Sequence, residues 1–197
     1  MDVTEDGRRT MSARRRRNRR RYYAYEISSV LLYGLFLFLV CLAVIFFVAQ
    51  KTVVDGSSMS PTLEDGDNLI VDKLSYRFTD PKRYDIVVFH YPEGENSYYI
   101  KRIIGLPGET VLIEDGRIYI NGVLLEEDYG NALMENSGRA NSPVTLGEDE
   151  YFVLGDNRNV SSDSRDPAVG NVSRDQIVGK AFVCIYPFDR LGFLRHQ

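Results

Sequence analysis

The sequence predicts a mainly β domain carried behind a single N-terminal transmembrane helix. Three observations predict it: an uncharged run of twenty residues from Val30 to Ala49, short stretches of β-type residues beyond Lys51, and Asx-Gly dipeptides interrupting some of those stretches. A chain of 197 residues accommodates one domain of ordinary size plus a short appendage.

The apolar run comes first. At about 1.5 Å per residue, twenty helical residues cover the roughly 30 Å of a bilayer's hydrocarbon core. A cleavable leader would have a shorter apolar region ending in small residues. Phe47-Val48-Ala49 puts a bulky ring where a small residue belongs, so the span reads as an uncleaved anchor. Residues 1–26 carry nine Arg against four acids, with Arg14 to Arg17 and Arg19 to Arg21 directly ahead of the run, whereas residues 51–197 carry fifteen basic and twenty-four acidic residues. Excess positive charge beside a span holds that flank in the cytoplasm and sends the remainder outward. The adjacent span accounts for the arginines without a nucleic-acid arm, and no nucleic-acid partner is expected.

The β segments follow. Leu69 to Val71, Ile86 to Phe89, Tyr98 to Ile104 and Gln176 to Ile185 read as strands. Asp115-Gly116 and Asn121-Gly122 tolerate positive φ at both central positions of a tight turn, which predicts at least one hairpin between Val111 and Leu125. From Asp128 to Gly147 the chain is rich in Gly, Asn and Ser without periodicity, and an exposed or poorly ordered loop is expected there. The resulting organisation is a basic segment at 1–26, a transmembrane helix at 27–50 and a β-rich domain at 51–197. Within the last, about 106–150 is expected to be a reduced hairpin and loop insertion. The two cysteines, Cys41 and Cys184, and the two histidines, His90 and His196, offer no four-ligand zinc spacing. No metal, cofactor or disulfide is expected.

Three polar segments could carry chemistry. Gly56-Ser57-Ser58-Met59-Ser60-Pro61-Thr62-Leu63 clusters hydroxyls eight residues past residue 50. Composition alone makes it a turn. A serine hydroxyl becomes a nucleophile only beside a base, usually histidine. Neither His90, at a strand end, nor His196, next to the last residue, suits that role. A buried lysine is the alternative, because desolvation lowers its pKa from about 10.4 toward working pH. Of five lysines only Lys101 interrupts an apolar strand, Tyr98-Tyr99-Ile100-Lys101-Arg102-Ile103-Ile104. Alternation puts Lys101 and Arg102 on opposite faces, so periodicity leaves open which charge is buried. The third segment, Gly155 to Arg165, is a dense run of Asp, Asn, Ser and Arg: a loop satisfying its own backbone, or a network that positions a base. It also contains the glycosylation-type triplet Asn159-Val160-Ser161.

Taken together, an Arg-rich start, one span and these segments in this order resemble type I signal peptidases, over roughly residues 20–190 and most like the compact Gram-positive bacterial form. The matching motifs are Ser-Met-x-Pro-Thr-Leu at 58–63, Tyr-Ile-Lys-Arg with Gly-Leu-Pro-Gly at 99–108, and Gly-Asp-Asn-Arg with Asp-Ser-Arg at 155–165. The resemblance implies an extracytoplasmic β-rich catalytic domain in the plasma membrane. It also implies a serine endopeptidase that removes signal peptides from exported preproteins through an acyl-enzyme. Ser58 would attack the scissile carbonyl and Lys101 would act as general base. Ser161 would hydrogen-bond the Lys101 amine, Asp163 and Arg165 would form a supporting ion pair, and the Ser58 N–H would serve the oxyanion hole. Gly56 stands where many family members from Gram-negative bacteria have a serine whose hydroxyl completes that hole, while compact members also tolerate glycine there. Arg83-Tyr84-Asp85 and Asn159-Val160 also depart from the family's usual Arg-Gly-Asp and Asp-Asn. Substrates of the family carry Ala-x-Ala before the cut. The pocket walls would be Val54, Met59, Val88, Tyr99 and Ile100, all equally readable as core of a β domain. Lipid and the secretion translocon are the further partners expected. A self-cleaving Ser/Lys regulator is disfavoured by the span, and a catalytically silent tether by the presence of both Ser58 and Lys101.

Overall fold

The computed structural model describes residues 23, 25–43, 49–91, 97–130 and 132–194; the Arg cluster and His196 lie outside them. The chain divides into two units, Met1–Phe46 and Phe47–Gln197. In the first, helix α1 covers Tyr25–Ala43, nineteen residues long and apolar enough to cross a bilayer. Its Leu, Val and Phe side chains from Val30 to Val40 are exposed, as a lipid-facing surface requires.

The second unit opens on a difference from the sequence reading. Ala49 and Gln50, assigned to the span, instead begin β1 (Ala49–Val53) and pair with Asp72 and Val71 of β2 (Asn68–Asp72). An apolar stretch reads alike as strand or helix, and here the β2 backbone supplies partners. The main sheet continues through β3 (Ile86–His90), β4 (Tyr98–Gly105), β9 (Glu150–Leu154), β10 (Val172–Ser173) and β11 (Ile177–Tyr186). The order is β1-β2-β11-β3-β4-β9-β10, with a short β12 (Gly192–Phe193) on β11, and every pair is antiparallel.

A second antiparallel sheet, in the order β7-β6-β5-β8, is built from β5 (Thr110–Glu114), β6 (Arg117–Ile120), β7 (Val123–Leu124) and β8 (Val144–Thr145). Both Asx-Gly dipeptides are its turns: Asp115 and Gly116 have φ of 50° and 71°, Asn121 and Gly122 of 51° and 79°. These left-handed pairs match the right-handed twist of the flanking strands.

The strands at the centre of the main sheet are covered on both faces, which is why they read as near-continuous apolar runs. Val153 and Tyr151 of β9 and Ile103 of β4 join Val87, Phe89, Val169, Val172 and Ile177 in one core. Their neighbours Phe152, Leu154 and Ile104 join Val111, Ile113, Ile118, Ile120, Met134, Ala140 and Leu146 in another, under the second sheet. A third core, Val54, Met59, Leu63, Leu69, Ile86, Ala181 and Cys184, anchors the β1–β2 connection. The segment 128–147 is therefore not simply an exposed loop. It buries Met134, Ala140 and Leu146 and contains a 3-10 turn at Gly138–Asn141.

Candidate active site

The β1–β2 connection carries Ser58. Gly56, at φ 93°, turns the chain, and Met59 and Leu63, 1% and 0% exposed, pin the segment that follows. Ser58 is thus presented from a short loop whose next residue is locked in the core. Lys101 arrives from β4, opposite Val87 of β3. Its Nζ lies 2.7 Å from Ser58 Oγ and donates a second hydrogen bond to the Ile100 carbonyl at 3.0 Å. The Tyr99 ring centroid is 5.1 Å away.

Lys101 is 4% exposed and forms no ion pair among the described residues. Burial lowers its amine from 10.5 to about 8, against the carboxylate fields of Asp163 and Asp156, which act to raise it. At 2.7 Å the neutral amine's lone pair is within reach of the serine hydroxyl proton. Arg102, the residue that alternation could not separate from Lys101, is also buried, at 1% exposure. It is held in a fork by Asp156 at 2.9 and 2.6 Å and donates to the Tyr84 carbonyl at 3.0 Å.

The Gly155–Arg165 loop closes around the Ser58 segment. Asn157 donates its N–H to the Ser58 carbonyl at 3.0 Å and its side-chain amide to the Ser57 carbonyl at 3.1 Å. Gly155 is needed for this approach, since a Cβ there would lie 2.4 Å from the Ser58 carbonyl oxygen and 2.2 Å from Ser161 Oγ. Thr62, four residues past Ser58, donates to Asp156 at 2.5 Å. Asp163 and Arg165 pair at 2.8 Å, and the second Asp163 oxygen accepts from the Gly155 N–H at 3.1 Å. The expected hydrogen bond from Ser161 to Lys101 is not formed: Ser161 Oγ is buried against Gly155 and has no partner among the described residues. Gly56 does not offer a free oxyanion donor either, because its N–H donates to Asp65 at 2.8 Å. The Ser58 N–H donates to no described residue.

A cavity of about 560 Å³ opens beside Ser58 and Lys101, and Val54, Met59, Val88, Tyr99 and Ile100 all line it. Thr52, Val53, Asp55, Tyr98 and Ser162 line it too and escaped the sequence reading. The first three lie shortly before Ser58 in the chain, but nothing in their residue types marks them. Asn157 was missed for a different reason: its partners lie about a hundred residues away in sequence. His90 is exposed, with its ring tilted 43° against that of Tyr98 at a centroid distance of 4.6 Å.

A hydroxyl in contact with a buried amine that has no carboxylate partner, on a β domain beside a cavity of mixed polar and apolar lining, is an arrangement suited to a serine hydrolase with an amine in the place of imidazole. The chain belongs to the signal peptidase family, peptidase S26, whose profile matches residues 27–186. It is 43% identical over 153 residues to the probable signal peptidase I-2 of Synechocystis sp., covering 75% of this chain and 68% of that one. Signal peptidase I of Leptolyngbya laminosa is 45% identical over 155 residues, covering 75% and 74%. Signal peptidase I of Bacillus amyloliquefaciens is 39% identical over 156 residues, covering 74% and 80%.

Proposed function

We infer that this chain is a membrane-anchored serine endopeptidase that removes signal peptides from preproteins, with Ser58 as nucleophile and Lys101 as general base. The observation that carries the residue assignment is the 2.7 Å contact between Ser58 Oγ and the buried Lys101 amine. Lys101 takes the hydroxyl proton as Ser58 Oγ attacks the scissile carbonyl, and the resulting oxyanion accepts from the Ser58 N–H. The ammonium then protonates the leaving amine, leaving an ester on Ser58. Lys101 next removes a proton from water, which attacks the ester, and the proton passes to Ser58 Oγ as the acid product departs.

Asp163 and Arg165 act at one remove, by fixing the loop that packs on Ser58; Ser161 shares that role through its contact with Gly155. The second oxyanion donor is not Gly56 in this arrangement. Ala-x-Ala selectivity is supported by the cavity's walls, Val54, Met59, Val88, Tyr99 and Ile100, which favour small apolar side chains in an extended peptide. β9 pairs with β4 only from Arg102 to Gly105, so the Tyr98–Lys101 half of β4 borders the cavity where such a peptide would run.

The topology that follows has residues 1–26 in the cytoplasm, 27–50 largely spanning the plasma membrane and 51–197 as the catalytic domain outside it. The Arg excess before the span supports that orientation. Contact with lipid is supported by exposed Phe182, Tyr186, Phe188, Leu191 and Phe193, which pair edge to face as Phe182–Phe193 and Tyr186–Phe188. The short sequence tether between the apolar run and Ser58 keeps the nucleophile where an exported preprotein emerges, which makes the secretion translocon a natural neighbour. The test is cleavage of a preprotein by the purified full chain in detergent. Ser58→Ala and Lys101→Ala should be folded and inactive; substantial cleavage by Lys101→Ala would remove the base assignment.

A further inference from the structure

The stretch 133–140, expected to be loop, is gripped from two sides. On one side Met134 and Ala140 sit 6% and 0% exposed in the core under the second sheet. On the other, the segment holds the loop that carries Asp163 and Arg165. The Asn136 carbonyl accepts from Arg165 Nη1 at 2.9 Å, and the Arg139 N–H donates to the Arg165 carbonyl at 2.9 Å. Gly138, at φ 52°, lies so close that a Cβ would fall 2.3 Å from the Arg165 carbonyl oxygen and 2.8 Å from Arg165 Cβ. Asn159 adds two bonds from the loop's side, accepting from the Glu135 N–H at 3.0 Å and donating to the Leu133 carbonyl at 3.1 Å. An aspartate at 159 could make only the first of these, because a carboxylate has no hydrogen to donate.

The contacts continue to the reacting atoms. Arg165 pairs with Asp163, Asp163 accepts from the Gly155 N–H, and Gly155 abuts the carbonyl of Ser58, the residue whose Oγ contacts Lys101 Nζ. We propose that residues 133–140 are a positioning element for peptide-bond cleavage: the second sheet, through this segment and Arg165, fixes the loop that sets the Ser58–Lys101 geometry. None of these residues touches substrate. The effect falls mainly on kcat, because the cavity walls belong to β1, β3, β4 and the nucleophile loop, with Ser162 alone from the 155–165 loop and none from this segment.

The proposal rests on the Ser58–Lys101 reading, and the experiment separates the two. Steady-state cleavage of a fluorogenic peptide with Ala-x-Ala before the scissile bond is measured for the full chain in detergent, with Ser58→Ala as the reference for background. Gly138→Ala is expected to lower kcat up to roughly a hundredfold, as a misplacement of about an ångström does, with KM unchanged within about twofold. Asn159→Ala, a milder lesion at exposed bonds, is expected to lower kcat about fivefold. In an Arg165→Lys background, which keeps charge on Asp163 but loses the fork, either change should lower kcat by less than about twofold more. Multiplicative effects in the double variants, or a raised KM at unchanged kcat, overturn the proposal. If Gly138→Ala does not fold, the Asn159→Ala cycle decides by the same criterion. Cleavage that survives Ser58→Ala overturns the reading beneath it as well.

Discussion

Lys101 and Arg102 are consecutive on β4, point to opposite faces and are both almost sealed from water, yet their surroundings differ sharply. Arg102 has a carboxylate fork from Asp156, the Tyr84 carbonyl and the Tyr129 ring 3.7 Å from its guanidinium. Lys101 has a serine hydroxyl, one carbonyl and the Tyr99 ring 5.1 Å away, and no carboxylate partner among the described residues. The difference follows from chemistry. A guanidinium does not lose its proton in a protein, so burying it requires a partner of opposite charge. An ammonium can escape the penalty by deprotonating, and a site that denies it a carboxylate partner makes the proton easier to lose. One face of the strand therefore keeps a structural cation, and the other holds the proposed base.

The largest effect that would break this contrast is on activity. Ser58→Ala and Lys101→Ala should each reduce kcat to background, a loss on the order of a millionfold for residues that act as a unit. Cleavage assays with a thermal unfolding control check it. The opposite face should respond in stability instead. Asp156→Ala strands the guanidinium and is expected to destabilise the domain by about 3–5 kcal/mol in chemical denaturation.

Lys101→Met sharpens the contrast from the other direction. Because the folded amine lies near 8 and the unfolded one near 10.5, the folded state binds the proton less tightly, so wild-type stability rises as pH climbs from about 8 to 10.5. Below 8 the full penalty applies, and the Met variant should be more stable by roughly 3 kcal/mol, an advantage that shrinks across that window. The same amine predicts that kcat/KM climbs up to about tenfold per pH unit below 8 and levels off above it. A flat profile from pH 6 to 9 would contradict a lysine base. The smallest expected effect is Tyr129→Leu, about 1 kcal/mol of stability from the lost cation–π contact, with kcat unchanged.

Much of the fold was legible because the signals are local. Ile86 to Phe89 and Tyr98 to Ile104 became β3 and β4 nearly to the residue, and the Asp115-Gly116 and Asn121-Gly122 dipeptides became the turns of the second sheet. Met134 and Ala140 were not legible as core, since isolated apolar residues in a Gly- and Asn-rich stretch carry no period. Ala49 and Gln50 could not be assigned to β1 from an apolar run that fits helix equally well.

Sequence by itself determined the longer strands, the hairpin turns, the apolar run and the motifs that set Ser58, Lys101 and the 155–165 loop apart, because patterning, turn chemistry and charge are written residue by residue. Only the tertiary structure decided that both cations of β4 are buried and which one has a carboxylate. It likewise decided that Asn157 reaches the Ser58 segment, that Ser161 Oγ faces Gly155, and that Gly56 spends its N–H on Asp65. Each of these depends on groups brought together across the sheet from distant parts of the chain, and burial and pairing are properties of that packing rather than of any one stretch.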